Sequence, residues 1–172
     1  MYGTQVRSTN NAVTVTGSPG AGPSSFALWL DNHTPISGGV SVDAVGDSMN
    51  MPRSFFSNQF SSPLVTLRPL TANTRINIGG GDSLTSSPRT LGLHDVELDL
   101  VSANTLRIGD NSTGVVTVVS AGTIAPTDQS RHIEIYSASD IVFNGSLETV
   151  GFFSAGGPTR GNLLLSPGPT AV

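Results

Sequence analysis

The stretch TLRIGDNSTGVVTVVSAGTI, Thr105–Ile124, decides the fold class because it carries the clearest strand pattern in the chain. Leu106 and Ile108 flank a polar residue, which is the alternation of a half-buried strand, and Val115–Val119 is apolar and rich in β-branched residues. Between them lies a short run of Gly, Asp, Asn and Ser, the residue types that favour turns. The stretch therefore predicts a strand, a tight polar corner and a second strand.

Turn residues are predicted at this corner and at a second one. Gly109 and Gly114 can adopt a positive φ without steric cost, and Asp110 and Asn111 can bond their own backbone two residues on. Asn144 and Gly145 form the chain's one Asn-Gly pair, but it does not separate two long strand patterns as a hairpin turn would. The corners therefore favour turns between strands that do not pair with each other.

Composition points to the same class and excludes several functions. All eight cations are Arg, Glu occurs three times, and Ser, Thr, Asn, Gly and Pro are abundant, so helix formers are scarce and an all-β fold is predicted. A net charge of −4 without a basic cluster argues against nucleic-acid binding. The absence of Cys excludes disulfides and thiolate metal sites, and we predict no cofactor. No apolar window is long enough to span a bilayer, and no signal peptide is recognisable.

The spacing of the strand patterns divides the chain into two parts. Residues 1–63 are predicted to be a less regular β and loop segment, either a cap or an excursion, in which Phe26–Leu30 suits a fully buried strand. Residues 64–172 carry short, closely spaced strand patterns at repeat distances of about 30 to 35 residues, which favours a right-handed parallel β-helix, or solenoid. These patterns are Leu64–Leu67, Arg75–Ile78, Val96–Leu100, Leu106–Ile108, Val115–Val119, Ile133–Tyr136, Ile141–Phe143 and Leu163–Leu165. The side chains predicted to stack inward are those of Leu98, Ile108, Val118, Ile135 and Leu164.

These repeats resemble the β-helical repeat regions of filamentous-haemagglutinin-like bacterial adhesins, which are exported by two-partner or autotransporter routes. The resemblance lies in an LRIG-type strand, a GD corner, a VTV-like strand, a GTI-like step and an LxL-small-small-DIxFxG segment. In this chain these are Leu106–Asp110, Gly114–Val118, Gly122–Ile124, Ile133–Ser139 and Asp140–Gly145. It implies a structural, non-enzymatic segment of an extracellular or cell-surface filament, with the export signal outside this chain. The implied partners are neighbouring coils of a longer chain, other copies of itself, and a host receptor or glycan.

Two enzymatic alternatives remain open on the sequence. Gly81–Leu84 reads GDSL, which in the esterase family named for those letters makes Ser83 the nucleophile, although the Asp-x-x-His partner motif is missing. A β-helical polysaccharide-acting enzyme would use acidic and Arg side chains, for which Asp95, Asp99 and Arg107 are candidates.

Two further candidate sites depend on Gly-rich turns and aromatic residues. Gly79–Asp82 resembles a single copy of a calcium-binding Gly-rich turn, but one copy cannot build a stack of sites, so a plain turn is favoured. Trp29, Phe55 and Phe56 are candidate binding residues, because exposed rings can form a platform for a sugar, whereas buried rings fill a core.

Overall fold

A computed structural model describes residues 5–20, 25–30, 35–52, 59–119, 123–124, 130–147, 153–154, 157–158 and 162–168 of the chain. The strands are β1 (Val6–Ser8), β2 (Val13–Thr16), β3 (Leu28–Trp29), β4 (Ile36–Gly38), β5 (Ser41–Val45), β6 (Met49–Asn50), β7 (Phe60–Arg68), β8 (Arg75–Ile78), β9 (Thr90–Leu93), β10 (Val101–Ile108), β11 (Val116–Val118), β12 (Thr123–Ile124), β13 (Ser130–Tyr136), β14 (Ile141–Phe143), β15 (Ser146–Leu147), β16 (Phe153–Ser154), β17 (Gly157–Pro158) and β18 (Asn162–Ser166). The one helix within these residues, α1, spans Asp95–Leu98. The predicted all-β class is confirmed.

The largest sheet is parallel and runs in the order β1, β4, β7, β10, β13 and β18, with β2 and β5 paired beside this path. Phe60 lies opposite Val101, and Ala103 lies opposite Ser130. The chain therefore returns to this sheet after about 40 residues in one case and about 27 in the other, which parallel pairing requires because each return needs a long connection.

A second parallel sheet runs in the order β14, β11, β8 and β9, and the short pairs β12–β15 and β3–β6 are also parallel. Consecutive strands β10, β11 and β12 pair with β13, β14 and β15 in the same order. Among the described strands, only β16 and β17 pair antiparallel. The chain thus contributes one strand to each of these three sheets in turn, and then does so again in the same order.

Aliphatic side chains stack in register between the sheets. Val65, Leu106 and Ile133 lie opposite one another in the largest sheet, and each is 0% exposed. Burying one such side chain stabilises the fold by about 1.5–3 kcal/mol relative to leaving it in water. In the second sheet, Ile76 and Val116 form an equivalent buried pair. The core is therefore built from columns whose members are far apart in sequence.

The predicted strand at Val96–Leu100 is wrong, because its first three residues belong to α1. Glu97 Oε2 accepts a hydrogen bond from His94 N and closes the first turn, as the N3 residue of a capping box does. The pattern VELDL alternates as a strand would, but this local bond and the burial of Leu98 decide in favour of a helical turn. Leu98 is buried as predicted, although from a helix.

The predicted inward position of Leu164 is also wrong. Leu164 lies opposite Glu134, which in turn lies opposite Arg107 on the outer face of the largest sheet, and Leu164 is 48% exposed. Leu163 and Leu165 continue the inward columns of Ile133 and Ile135 instead, but they are exposed too, because β18 has a strand neighbour on one side only within the described residues.

The segment predicted to be less regular shares the largest sheet. The predicted boundary between residues 63 and 64 falls inside β7, and both β4 and β5 pair with that strand. Gly39 and Val40 separate β4 from β5, whereas β7 runs through the equivalent positions without interruption. The irregularity in this part of the sequence thus reflects interruptions within strands of one continuous sheet.

The polar corner at Gly109–Gly114 is held by side-chain to backbone bonds. Gly109 has φ +79°, and Asp110 Oδ1 accepts a hydrogen bond from Ser112 N at 2.8 Å. Burial alone would raise the pKa of Asp110, but its hydrogen bonds from Ser112 and Thr113 outweigh this effect and the pKa is lowered. Gly114 is required by close approach, since a Cβ there would lie 2.5 Å from the Asn73 carbonyl oxygen.

The other predicted turn residues also lie between strands. Asn111 is exposed in the turn that follows Asp110, and Asn144 and Gly145 form a bend between β14 and β15. These two strands pair with β11 and β12 and not with each other. The bend therefore redirects the chain from one sheet to another.

Candidate binding pocket

A pocket of about 230 Å³ lies where β6, the loop after β8 and the start of α1 meet. Most of its wall comes from residues distant in sequence, because parallel pairing brings separate stretches of chain together. Its lining side chains are Phe26, Met49, Asn50, Asp82, Leu84, His94 and Glu97. The pocket therefore combines apolar and aromatic surface with two carboxyl groups, an amide and an imidazole.

Glu97 is fixed by the backbone of two different elements. Its Oε1 accepts a hydrogen bond from Met51 N at 3.1 Å, and its Oε2 accepts one from His94 N at 2.9 Å. Desolvation raises the pKa of Glu97, and these backbone bonds and the charge of His94 oppose that rise only in part. Because both oxygens bind backbone donors, Glu97 holds α1 against the strand segment that follows β6.

Asp82 joins the loop after β8 to two neighbouring strands. Its Oδ1 accepts a hydrogen bond from Gly92 N at 3.0 Å, and the backbone of Met49 provides a second bond. Desolvation, with repulsion from Glu97, raises the pKa of Asp82 to about 7. Gly92 permits this arrangement, since a Cβ there would lie 2.1 Å from the Gly81 carbonyl carbon.

His94 closes the solvent side of the pocket. It precedes α1, its side chain is exposed, and its Nε2 lies 3.3 Å from the position that a Cβ on Gly81 would occupy. Glycine at position 81 therefore gives the imidazole room to pack over the loop. The ring remains available to solvent and to a ligand.

Trp29 does not line the pocket itself but lies beside two residues that do, and it is 63% exposed. It lies opposite Asn50 in the β3–β6 pair, and its ring packs edge-on against Phe26 with centroids 5.6 Å apart. Asn50 and Phe26 both line the pocket. The expectation that Phe26–Leu30 is fully buried is therefore wrong, because Leu28 and Leu30 face the core while Trp29 points outward. Phe55 and Phe56, the other aromatic candidates, lie outside the described residues.

Ser83, the nucleophile of the esterase alternative, does not line this pocket although both of its sequence neighbours do. Its backbone forms an antiparallel bridge with Thr90, with Ser83 N donating to Thr90 O at 2.9 Å. Extended backbone of this kind directs successive side chains to opposite sides. The structure therefore brings Asp82 to the pocket with His94 and turns Ser83 away from it.

The three candidates for a polysaccharide-acting enzyme are not gathered in one pocket. Asp95 lies in α1 and Asp99 directly follows it, whereas Arg107 lies on the outer face of β10. Arg107 forms an ion pair with Glu134 at 2.7 Å and packs over the Tyr136 ring at 5.0 Å from its centroid. Arg107 is thus already engaged by the adjacent strand.

A wider and shallower groove of about 470 Å³ crosses the outer face of β1, β4, β7 and β10. Arg7, Ser37, Ser61 and Ser102 lie opposite one another along it, so it presents a column of one Arg and three Ser side chains. It contains no carboxyl group and no aromatic ring. Its chemistry is that of a solvated sheet surface.

Sequence reasoning did not identify Asp82, His94 and Glu97 as a group. The sequence patterns place Asp82 in a GDSL motif and in a calcium-type turn, neither of which relates it to His94 or Glu97. Within the described residues, no three His, Asp or Glu side chains are placed to hold a metal ion. The available signal was the His94-x-x-Glu97 spacing, which resembles a capping box, together with the rarity of Glu in the chain. That signal indicates a helix start and gives no reason to place Asp82 beside it.

Comparison of the chain with protein-family models, with curated protein sequences and with solved structures yields no significant match. In the described part of the chain, α1 is far shorter than a membrane-crossing helix and no other helix is present.

Proposed function

We propose that this chain is a structural, non-enzymatic segment of an extracellular, filamentous-haemagglutinin-like adhesin or filament, built as a right-handed parallel β-helix that extends a shaft and displays surface loops. The observation that carries the proposal is the repeated order of pairing, in which β10, β11 and β12 lie against β13, β14 and β15. A chain that visits three sheets in a fixed order and returns to the first winds as a solenoid. Parallel crossovers of this kind are right-handed in about 98% of cases.

The distribution of side chains supports a shaft. Inward columns such as Leu67, Ile108 and Ile135 are 0% exposed, whereas the outer column carries Arg107 and Glu134 as an ion pair. A solenoid is stabilised mainly by contacts between adjacent coils, so coils can be added without redesigning a central core. This is the property that a long filament needs.

Adjacent coils or further copies of the chain are the partners that this role requires. The outermost described strand of the largest sheet, β18, carries Leu163, Leu164 and Leu165, which are 41%, 48% and 41% exposed. Open strand edges with apolar side chains favour pairing with another strand, and the chain has no Lys to oppose it.

Cysteine cross-linking tests the winding directly, because the chain has no Cys of its own. Thr66→Cys with Arg107→Cys probes the first sheet, and Asn77→Cys with Thr117→Cys probes the second, since each pair lies opposite on adjacent parallel strands. Both pairs should oxidise to intramolecular disulfides. Thr66→Cys with Thr117→Cys is the matched control and should not cross-link. Failure of either in-register pair would contradict the proposed winding.

An activity-based probe and the sequence of the surrounding reading frame distinguish a structural role from a catalytic one. A fluorophosphonate should not label the protein, and labelling that is lost in Ser83→Ala would refute the non-enzymatic proposal. The surrounding reading frame should encode more repeats of this kind together with a secretion domain. A reading frame that encodes a compact enzyme would overturn the adhesin assignment.

A further inference from the structure

We infer that the pocket lined by Asp82, His94 and Glu97 binds one sugar residue without an acidic group, neutral or amino-bearing, which stacks on Trp29 beside the pocket. This inference goes beyond the shaft role and does not rest on it, because it uses only the local arrangement of the pocket.

The charge of the pocket sets the ligand class. Asp82 and Glu97 are the charged or ionisable acids in its wall, and no Arg lines it. An anionic ligand such as a phosphate or a uronic acid would meet two carboxyl groups, with only the His94 imidazole to offset them. A neutral ligand avoids this repulsion, and an ammonium group would be attracted.

The polar groups suit hydroxyl ligands. A carboxyl oxygen has two lone pairs, so Asp82 can accept a bond from a ligand while it still holds Gly92 N. The Asn50 amide and the exposed His94 imidazole each offer a donor and an acceptor. Glu97 uses both oxygens on backbone donors and acts as a positioning residue for α1. Several donors and acceptors in one small pocket match a ring that carries several hydroxyls.

The aromatic pair supplies an apolar face for the same ligand. Tryptophan is buried in most proteins, so a single Trp left 63% exposed beside a polar pocket needs an explanation. Phe26 packs edge-on against Trp29 and fixes one side of the ring, while Asn50 is its partner across the strand pair. The indole is thereby held beside the pocket and exposed to solvent, so that a sugar in the pocket can place its C–H groups against the ring.

The size of the pocket limits the ligand to one ring. Its volume of about 230 Å³ is below the range of roughly 300–1,000 Å³ that holds drug-sized molecules. One monosaccharide unit can enter, and the remainder of a glycan would extend past Trp29. A metal-dependent mode of sugar binding has no support in the described residues, where no three-ligand group exists.

Intrinsic fluorescence gives a specific test, because Trp29 is the only tryptophan in the chain. The protein would be titrated with lactose, the N-acetylglucosamine dimer, the glucosamine dimer and the galacturonic acid dimer. We expect at least one of the first three to shift or quench the emission and the galacturonic acid dimer to have no effect. Binding of the acidic dimer alone, or no response from any probe up to about 20 mM, would overturn the inference.

Calorimetry of variants then assigns the binding to this pocket. Trp29→Ala and Asp82→Ala should each weaken binding about tenfold or more, because they remove the stacking face and a buried acceptor. Phe143→Ala and Asp140→Asn are matched controls, since they change an exposed aromatic ring and an exposed carboxylate outside the pocket. Trp29 is exposed, so its replacement should leave the circular dichroism spectrum and melting curve unchanged. Equal affinity in Trp29→Ala and the unchanged protein would place binding elsewhere and refute the inference.

Discussion

Replacement of Asp82 by Asn should change how the stability of this protein depends on pH. In the folded protein, desolvation raises the pKa of Asp82 to about 7, against an ordinary value of 3.8 in the unfolded chain. Between these two values the folded state retains a proton that the unfolded state has released. The free energy of unfolding therefore falls as pH rises from about 4 to about 7, and it levels off above that range.

The size of this effect follows from the shift. A move of the pKa from 3.8 to about 7 corresponds to roughly 4 kcal/mol if it is expressed in full. The Asp82 side chain is only partly buried, so solvent screening reduces this to about 2 kcal/mol. The pKa of Glu97 is also raised, by burial first, so its contribution has the same sign.

Urea unfolding at pH 4 and pH 8, followed by circular dichroism, measures the effect as a difference between proteins. Asp82→Asn is neutral at both values and keeps an oxygen for Gly92 N, so its stability relative to the unchanged protein should rise by about 2 kcal/mol between pH 4 and pH 8. Asp140→Asn, which replaces an exposed carboxylate outside the pocket, should show no such rise in relative stability. If the free energies of unfolding of Asp82→Asn and the unchanged protein differ by the same amount at both pH values, the argument that Asp82 is desolvated in the folded protein is refuted.

Three further predictions concern the core, a corner and the sheet edge. Leu106→Ala should lower the free energy of unfolding by about 2–5 kcal/mol, because it leaves a cavity at a fully buried position. Leu164→Ala should lower it by less than about 0.5 kcal/mol, and equal effects of the two variants in urea unfolding would contradict the register. Asp47→Ala should cost about 3 kcal/mol or more in the same assay, since the buried carboxylate accepts bonds from Leu70 N, Thr71 N and Thr71 Oγ1 at 3.0, 2.8 and 2.6 Å. A loss below about 1 kcal/mol would show that the corner after β7, at Leu70 and Thr71, does not depend on Asp47. In sedimentation velocity, the chain should associate as its concentration rises and Leu164→Lys should suppress this, while a monomer over a hundredfold range of the unchanged protein would show that the edge at β18 is covered.

Local alternation was sufficient to locate many strands but not to define their surroundings. The common inward direction of Leu106 and Ile108 was predictable, because residues two apart on a strand lie on the same face of the sheet. The same reasoning failed at Val96–Leu100, because strand and helix patterns cannot be told apart over so short a stretch. The hydrogen bond that Glu97 accepts from His94 N selects the helical turn there. The reasoning also failed at Leu164 because three consecutive leucines carry no alternation from which to choose a face.

The pocket could not be predicted because its parts meet only through register. Phe26, Asn50, Asp82 and His94 occupy four separate stretches, and their proximity depends on the pairing of β3 with β6 and on the close contact of Gly92 with the loop after β8. The aromatic ring of Trp29 makes it a candidate binding residue, but Phe26–Leu30 is apolar at odd and even positions alike, which favours burial. Whether such a residue faces the core or the solvent depends on its neighbours in space.

The connections between successive strands of the largest sheet differ in length, although the register of these strands is kept. Strands β7 and β10 keep their register across about 40 residues, and β10 and β13 keep theirs across about 27, so the pairing does not depend on the length of the connection. The longer connection contains β9 and α1, and it contributes Asp82, His94 and Glu97 to the pocket wall. The exposed part of this connection, residues 85–88, directly follows Leu84 of the pocket wall, so a protein engineer could exchange it to alter recognition without changing the register of the sheets.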